Sequence, residues 1–187
     1  FTIYSLAASV DPASKSDGVL NPQGIRFGSS DIYSIVEADP FNQWISSTLC
    51  VGRRRPCIDT DESVFLFIIM KPQIPFTDDL AQMIRDAIRR GLSTKHAPRF
   101  IIPVKEIPVT VNGKKVETLV KHVISQGELP KTVSSTVSNR HCLADFIRFH
   151  YIDSGKTDLR SYRTAGPILV HFQPLQSFKS QEPLQSN

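Results

Sequence analysis

An α+β fold built on three strands and three helices follows from three observations in this sequence. Two runs rich in β-branched and aromatic residues, 44–52 and 64–70, are separated by charged and Pro/Asp-containing residues and read as paired strands. Two other segments, 78–91 and 116–126, repeat apolar residues with the helical period. Strand-like and helix-like segments then alternate over residues 17–128, the pattern of helices packed on a sheet around one small core.

In chain order, residues 9–16 contain Pro12 and small residues and read as a linker. Ile25 and Phe27 predict a short extended piece. Ser29 or Ser30 then offers an N-cap with Asp31 in the first turn, opening a helix through about Glu37, which Asp39-Pro40 ends. Thr77 caps the clearest helix: Asp78 and Asp79 lie in its first turn, and Leu80, Met83, Ile84, Ala87 and Ile88 form one apolar stripe. Arg89 and Arg90 sit in its last turn, and Gly91 stops it. Residues 99–104 predict a third strand. Beyond Gly113, Val116, Leu119, Val120, Val123 and Ile124 make a final stripe that ends at Gly127. Residues 129–139 are irregular, 140–150 predict one short helix around Leu143, Phe146 and Ile147, and the polar stretch 151–187 predicts poor order.

Composition narrows the function classes. The 187 residues suit one ordinary domain plus extensions, and a net charge of +4 looks basic. Residues 17–128, however, hold 14 Lys/Arg against 13 Asp/Glu, so no concentrated basic stripe exists there for nucleic acid. Arg53-Arg54-Arg55 is the one basic run, and it reads as a solvated strand end. Cys50, Cys57 and Cys142 show no metal-ligand spacing, which predicts reduced thiols in the cytosol and no structural zinc. The apolar run 64–70 is far shorter than the roughly 20 residues a membrane span needs. The first ten residues lack the basic start of a signal peptide, and the absence of Met at position 1 predicts that the chain is part of a longer one.

One lysine stands out. In Pro108-Val-Thr-Val-Asn-Gly113-Lys114-Lys115-Val116 a flexible cation sits on a glycine turn just before a helix, where it can reach phosphate or carboxylate oxygens of a neighbouring site. Two more segments accompany it: Ser16-Asp17-Gly18-Val-Leu-Asn-Pro-Gln-Gly24-Ile-Arg26-Phe-Gly28-Ser-Ser-Asp31, and the helix ending Arg89-Arg90-Gly91 with Lys95-His96-Ala-Pro98 after it. In this order the three resemble the C-terminal lid domain of the acyl-adenylate-forming ligases, over about residues 17–150.

The resemblance assigns roles. Asp17 corresponds to the hinge about which the lid rotates between adenylate and thioester formation; a small acidic residue beside glycine changes φ and ψ cheaply. Gly24 corresponds to the glycine lining the pantetheine tunnel, where backbone must approach the ligand closely. Arg26 corresponds to an arginine meeting nucleotide phosphate, and Arg89 to a position contacting CoA phosphates, although a cation closing a helix C-terminus reads equally well there. Lys114 corresponds to the lysine that neutralises charge between carboxylate and α-phosphate as the acyl-adenylate forms. His96 and His122 are expected to pack or face solvent. ATP, CoA and Mg²⁺ are the implied cofactors, the implied partners are small molecules with acetoacetate as the acid, and neither nucleic acid nor membrane is implied.

The sequence also departs from the family. Its large catalytic domain is absent from these residues, which implies that the chain alone is inactive. A Gly-Arg pair precedes the hinge in the family, whereas Ser14 and Lys15 stand here and residues 5–15 read as an insertion, translated intron or gene-model error. This divides the chain into the end of a large domain plus insertion (1–16), the lid (17–128), an extension (129–150) and a tail (151–187). A second reading remains open at this point, an inert lid-like module that binds a partner or CoA.

Overall fold

The computed structural model describes residues 18–152; the hinge candidate Asp17, the insertion 5–15 and the tail beyond Ile152 lie outside them. A central sheet has the order β3–β4–β5, formed by Ile45–Arg53, Ser63–Met70 and Phe100–Pro103. The first pair is antiparallel and the second parallel, with Val51 opposite Phe65 and Phe65 opposite Phe100. A smaller antiparallel ladder joins β1 (Val19–Leu20) to β2 (Phe27–Gly28). The helices are α1 (Ser29–Val36), α2 (Asp78–Gly91), α3 (Glu117–Gln126) and the short α4 (Leu143–Phe146).

Both faces of the sheet are covered, so the single core expected from the sequence is two. Cys50, Val64, Leu66, Ile68 and Ile101 face α1 and α2, meeting Ile32, Val36, Ile84 and Ile88. Leu49, Val51, Phe65, Phe67, Phe100 and Ile102 face the other way, onto Val120, Val123, Ile124, Phe146 and Phe149. Alternate residues of one strand point to opposite faces, and burial on both explains why β4 is an unbroken apolar run. Residues 140–152 are therefore packed into the second core through Leu143, Phe146, Phe149 and Ile152.

Arg53 overturns the solvated reading of the basic run. As the last residue of β3 it points to the second core with Leu49 and Val51, where its guanidinium is 2% exposed. It lies 4.9 Å from the Phe65 ring and donates to the carbonyls of Phe149 and Ile152 at 2.8 and 2.7 Å. Arg55 is also buried, forked onto Asp59 at 2.7 Å and donating to the His150 carbonyl. Only Arg54 is exposed. The two buried guanidiniums fasten the end of the chain to the sheet, which is what charged groups must do to offset desolvation.

Helix boundaries follow the expected chemistry with three corrections. The N-cap of α1 is Gly28, whose N–H donates to the Asp31 carboxylate at 3.2 Å, so Ser29 is already helical. Met83 is 45% exposed; Ala81 takes its place in the buried stripe of α2. Gly91 still belongs to α2, whose last carbonyl bond runs to Leu92; a Cβ on Gly91 would come 2.8 Å from the Ile35 methyl, so its smallness serves the α1–α2 contact. Thr77 does cap α2 through the Leu80 N–H, and Gly127 ends α3 at φ +76°.

Candidate active site

The β1–β2 ladder is closed by a turn in which Gln23 and Gly24 both have positive φ, +52° and +79°. Glycine adopts such an angle freely; glutamine does not, and its conformation is held from outside by the Asp61 carboxylate, which accepts its N–H at 2.8 Å. Next to it the Asn21 N–H donates to Glu62 Oε1 at 2.9 Å, and Glu62 Oε2 pairs with Lys121 of α3 at 2.8 Å. The acidic end of the β3–β4 hairpin thus grips this turn twice. Nothing lies within 4 Å of the place a Gly24 Cβ would take.

A cleft of about 780 Å³ opens beside the turn, lined among others by Gln23, Asp61, Arg85, Arg89, Lys95 and Arg99. Arg89 also pairs with Asp86 at 3.1 Å, a bond between two half-exposed side chains that water screens. The Lys95 ammonium reaches the Gln23 side-chain carbonyl. Asp59 and Asp61 belong to the same wall, yet both are spent on the protein itself. Burial opposes charge on Asp59, but its bonds to Arg55 and the nearby Arg53 outweigh this and hold the carboxyl below its usual range. Arg26 lines a second, smaller hollow with Asn21, Phe27 and Lys121, and Glu62 is shared by the two.

Lys114 lies elsewhere and lines neither hollow. Gly113, at φ +73°, makes the turn: its N–H donates to the Thr110 carbonyl at 2.8 Å, and the Thr110 N–H to the Lys114 carbonyl at 2.9 Å. Lys114 Nζ has no partner among the described residues. Lys115 is the opposite case, its ammonium 2.5 Å from Glu37 Oε1 and 3.5 Å above the Tyr33 ring. Burial pushes the Glu37 carboxyl up, but Lys115 and the Thr48 hydroxyl and N–H outweigh it, so the carboxyl is held below its usual range. Of the two adjacent lysines, the one that the motif spacing nominates is left without a partner among the described residues, and the other is committed to Glu37 and Tyr33.

Of the sequence-derived candidates, then, Arg89 lines the cleft, Gly24 follows Gln23 of its wall without lining it, Arg26 lines the second hollow, and Lys114 projects from a different turn; Asp17 lies outside the described residues. His96 stacks on Phe27 at 4.2 Å and His122 is exposed, neither in a catalytic arrangement. Sequence reasoning passed over Asp61, Glu62, Tyr33 and Glu117, because the bonds they make span tens of residues.

An α/β/α sandwich of this size, with a small β ladder at its entry and a glycine–lysine turn before its third helix, is the C-terminal domain of the acyl-adenylate-forming ligases, and the chain belongs to that family as such a part. Acetoacetyl-CoA synthetase from Streptomyces lividans superposes with a TM-score of 0.58 at 31% identity, over 72% of this chain and 20% of that one. In sequence the chain is 49% identical over 116 residues to the acetoacetyl-CoA synthetase of Xenopus tropicalis, covering 62% of this chain and 16% of the relative. It is 47% identical over 132 residues to the malonamoyl-CoA synthetase of Penicillium aethiopicum, covering 71% and 18%. No family model matches the chain. The chain spans less than a fifth of the length of these curated relatives. Among the described residues no helix is long and apolar enough to cross a membrane, and no group of three His, Cys, Asp or Glu is placed to hold a metal ion.

Proposed function

We propose that this chain is the mobile lid of an acetoacetate–CoA ligase, working in the cytosol with ATP, CoA and the Mg²⁺ that accompanies ATP. The observation that carries this reading is the division of the candidate residues between two places: an uncommitted Lys114 on its own turn, and an open Gly24 backbone beside the cationic Arg89 cleft. A lid that serves two half-reactions needs two working faces. In the first, the acid's carboxylate oxygen attacks the α-phosphorus of ATP, diphosphate leaves, and Lys114 offsets the negative charge gathered between the reacting oxygens. In the second, the CoA thiol attacks the acyl carbonyl and AMP leaves, with Gly24 giving the pantetheine arm room and Arg89 its phosphate partner. Arg26 meets nucleotide phosphate, and Asp17 is the hinge between the two states.

The acid is proposed from the acetoacetyl-CoA synthetases. The similarly high identity to a malonamoyl-CoA synthetase fits a lid that does not itself choose the acid, since the acids behind the two names differ beyond the C3 carbonyl, a methyl group in acetoacetate and an amide nitrogen in malonamate. The test replaces the C-terminal part of the Streptomyces lividans synthetase with this chain. The chimera is expected to form acetoacetyl-CoA above the truncated large part alone, and to do so with acetoacetate in preference to acetate. A folded chimera no better than the truncated protein would refute the reading.

A further inference from the structure

Glu117 stands three residues after Lys114, at the start of α3, and its carboxylate meets Ser29 and Tyr33 of α1 and lies beside Gly18. Its Oε1 accepts from the Ser29 hydroxyl at 2.9 Å and from the Tyr33 hydroxyl at 2.5 Å. The Tyr33 oxygen in turn accepts the Cys50 N–H of the central strand at 2.9 Å. Burial and the facing Glu117 carboxylate push the Tyr33 phenol far above its usual range, so it remains a donor to Glu117. The Ser29 N–H donates to the Gly18 carbonyl at 2.8 Å, and a Cβ on Gly18 would lie 2.6 Å from Ser29 Oγ and 2.9 Å from Glu117 Oε2. At φ +57° Gly18 is seated against this carboxylate as only glycine fits. Over the ring of the same tyrosine lies the Lys115 ammonium, paired with Glu37.

We propose that Glu117 is a positioning residue that locks the Lys114 turn to the point where the chain enters the domain, so that rotation at that entry carries Lys114 as one rigid piece. The links run without a gap: Gly18 carbonyl to Ser29 N–H, Ser29 hydroxyl to Glu117, and Glu117 through the non-helical backbone of Val116 and Lys115 to Lys114. Tyr33 braces the middle, held by Cys50 and by Glu117, and Lys115, the residue after Lys114, lies over its ring. A lysine on a glycine turn of its own would wander over its rotamers; bracing the residues immediately after it removes that freedom before the substrate arrives, which is how a positioned charge contributes more than a tethered one. Glu117 touches no reacting atom in this scheme and acts through Lys114. The inference rests on the lid reading above for what Lys114 does, but not for the bonds themselves.

Two measurements test it. On the 187-residue chain, amide hydrogen exchange and backbone relaxation compare wild type with Glu117→Ala and with Tyr33→Phe, the second keeping the ring and its stacking. Loss of these bonds should speed exchange at the Ser29 N–H about five- to ten-fold and lower the order parameters of residues 112–115, while the Leu66 amide in the central strand keeps its rate. Unchanged Ser29 exchange in both variants, or a uniform rise that includes Leu66, would overturn the link. In the active chimera, Glu117→Ala should lower kcat for adenylate formation several-fold with KM for ATP unchanged, and Glu117→Gln, which still accepts both hydroxyls, should restore most of it. An equal loss in Ala and Gln, or a rise in KM alone, would contradict positioning. Should the chimera itself be inactive, the lid reading fails while the exchange measurement still decides the link.

Discussion

At the scale of single residues, the paired charges of this domain fasten loops more than they decorate a surface. Asp59 takes the Arg55 guanidinium and backbone N–H and stands near Arg53, which together tie residues 149–152 to the sheet. Because its folded carboxyl is held below the unfolded value, its contribution is complete above the unfolded pKa and is lost as pH falls through the folded one. Asp59→Asn should therefore be about 2 kcal/mol less stable than wild type near neutral pH, the cost of weakening a charge-assisted fork. In urea unfolding followed at several pH values, that gap should hold down to about pH 4 and close below it. A gap independent of pH would show that the carboxylate charge is not what matters. Glu37, also held down, adds to the same acid limb through Lys115 and Thr48.

At the scale of elements, the hairpin β3–β4 does two things with one end: its strands form the sheet and its tip holds the Gly24 turn. Gly52 makes this possible. A Cβ there would fall 2.1 Å from the Glu62 carboxyl carbon, in the seat from which Glu62 reaches Asn21 and Lys121. Gly52→Ala should evict that side chain and cost about 1 to 3 kcal/mol, lowering the melting temperature by several degrees. The Asn21 amide should exchange faster at the same time, since its acceptor has moved. A variant that melts lower with Asn21 still protected would mean that Glu62 finds another route to the turn.

At the scale of the whole molecule, the central strands, the caps at Thr77 and Gly127 and the short helix around Phe146 were legible in the sequence, because each is written in local periodicity and end-signals. The two-sided core is not what the alternation of elements predicts, which is one small core; the unbroken apolar run of β4 is its trace, but the helices that cover each face are named only by the fold. What the sequence withheld is long-range. Arg53 reads as a solvated cation until residues 149–152 close over it, and Glu117 reads as an ordinary helix-start acid until Gly18 and Tyr33 arrive from 84 or more residues away. For the site, a glycine, an arginine and a lysine at motif spacings suffice to nominate Gly24, Arg89 and Lys114; that Lys114 and not Lys115 is the available cation emerges only when Lys115 is seen on Tyr33. The two-faced lid is tested most directly by measuring the half-reactions separately in the chimera. Lys114→Ala should slow acetoacetate-dependent diphosphate exchange by roughly 100-fold, as loss of one preorganised electrostatic group does, and leave consumption of supplied acetoacetyl-adenylate by CoA nearly intact. Gly24→Leu, whose side chain would enter the open space beside the cleft, should do the reverse. Equal losses in both half-reactions for both variants would contradict the division of the domain into two working faces.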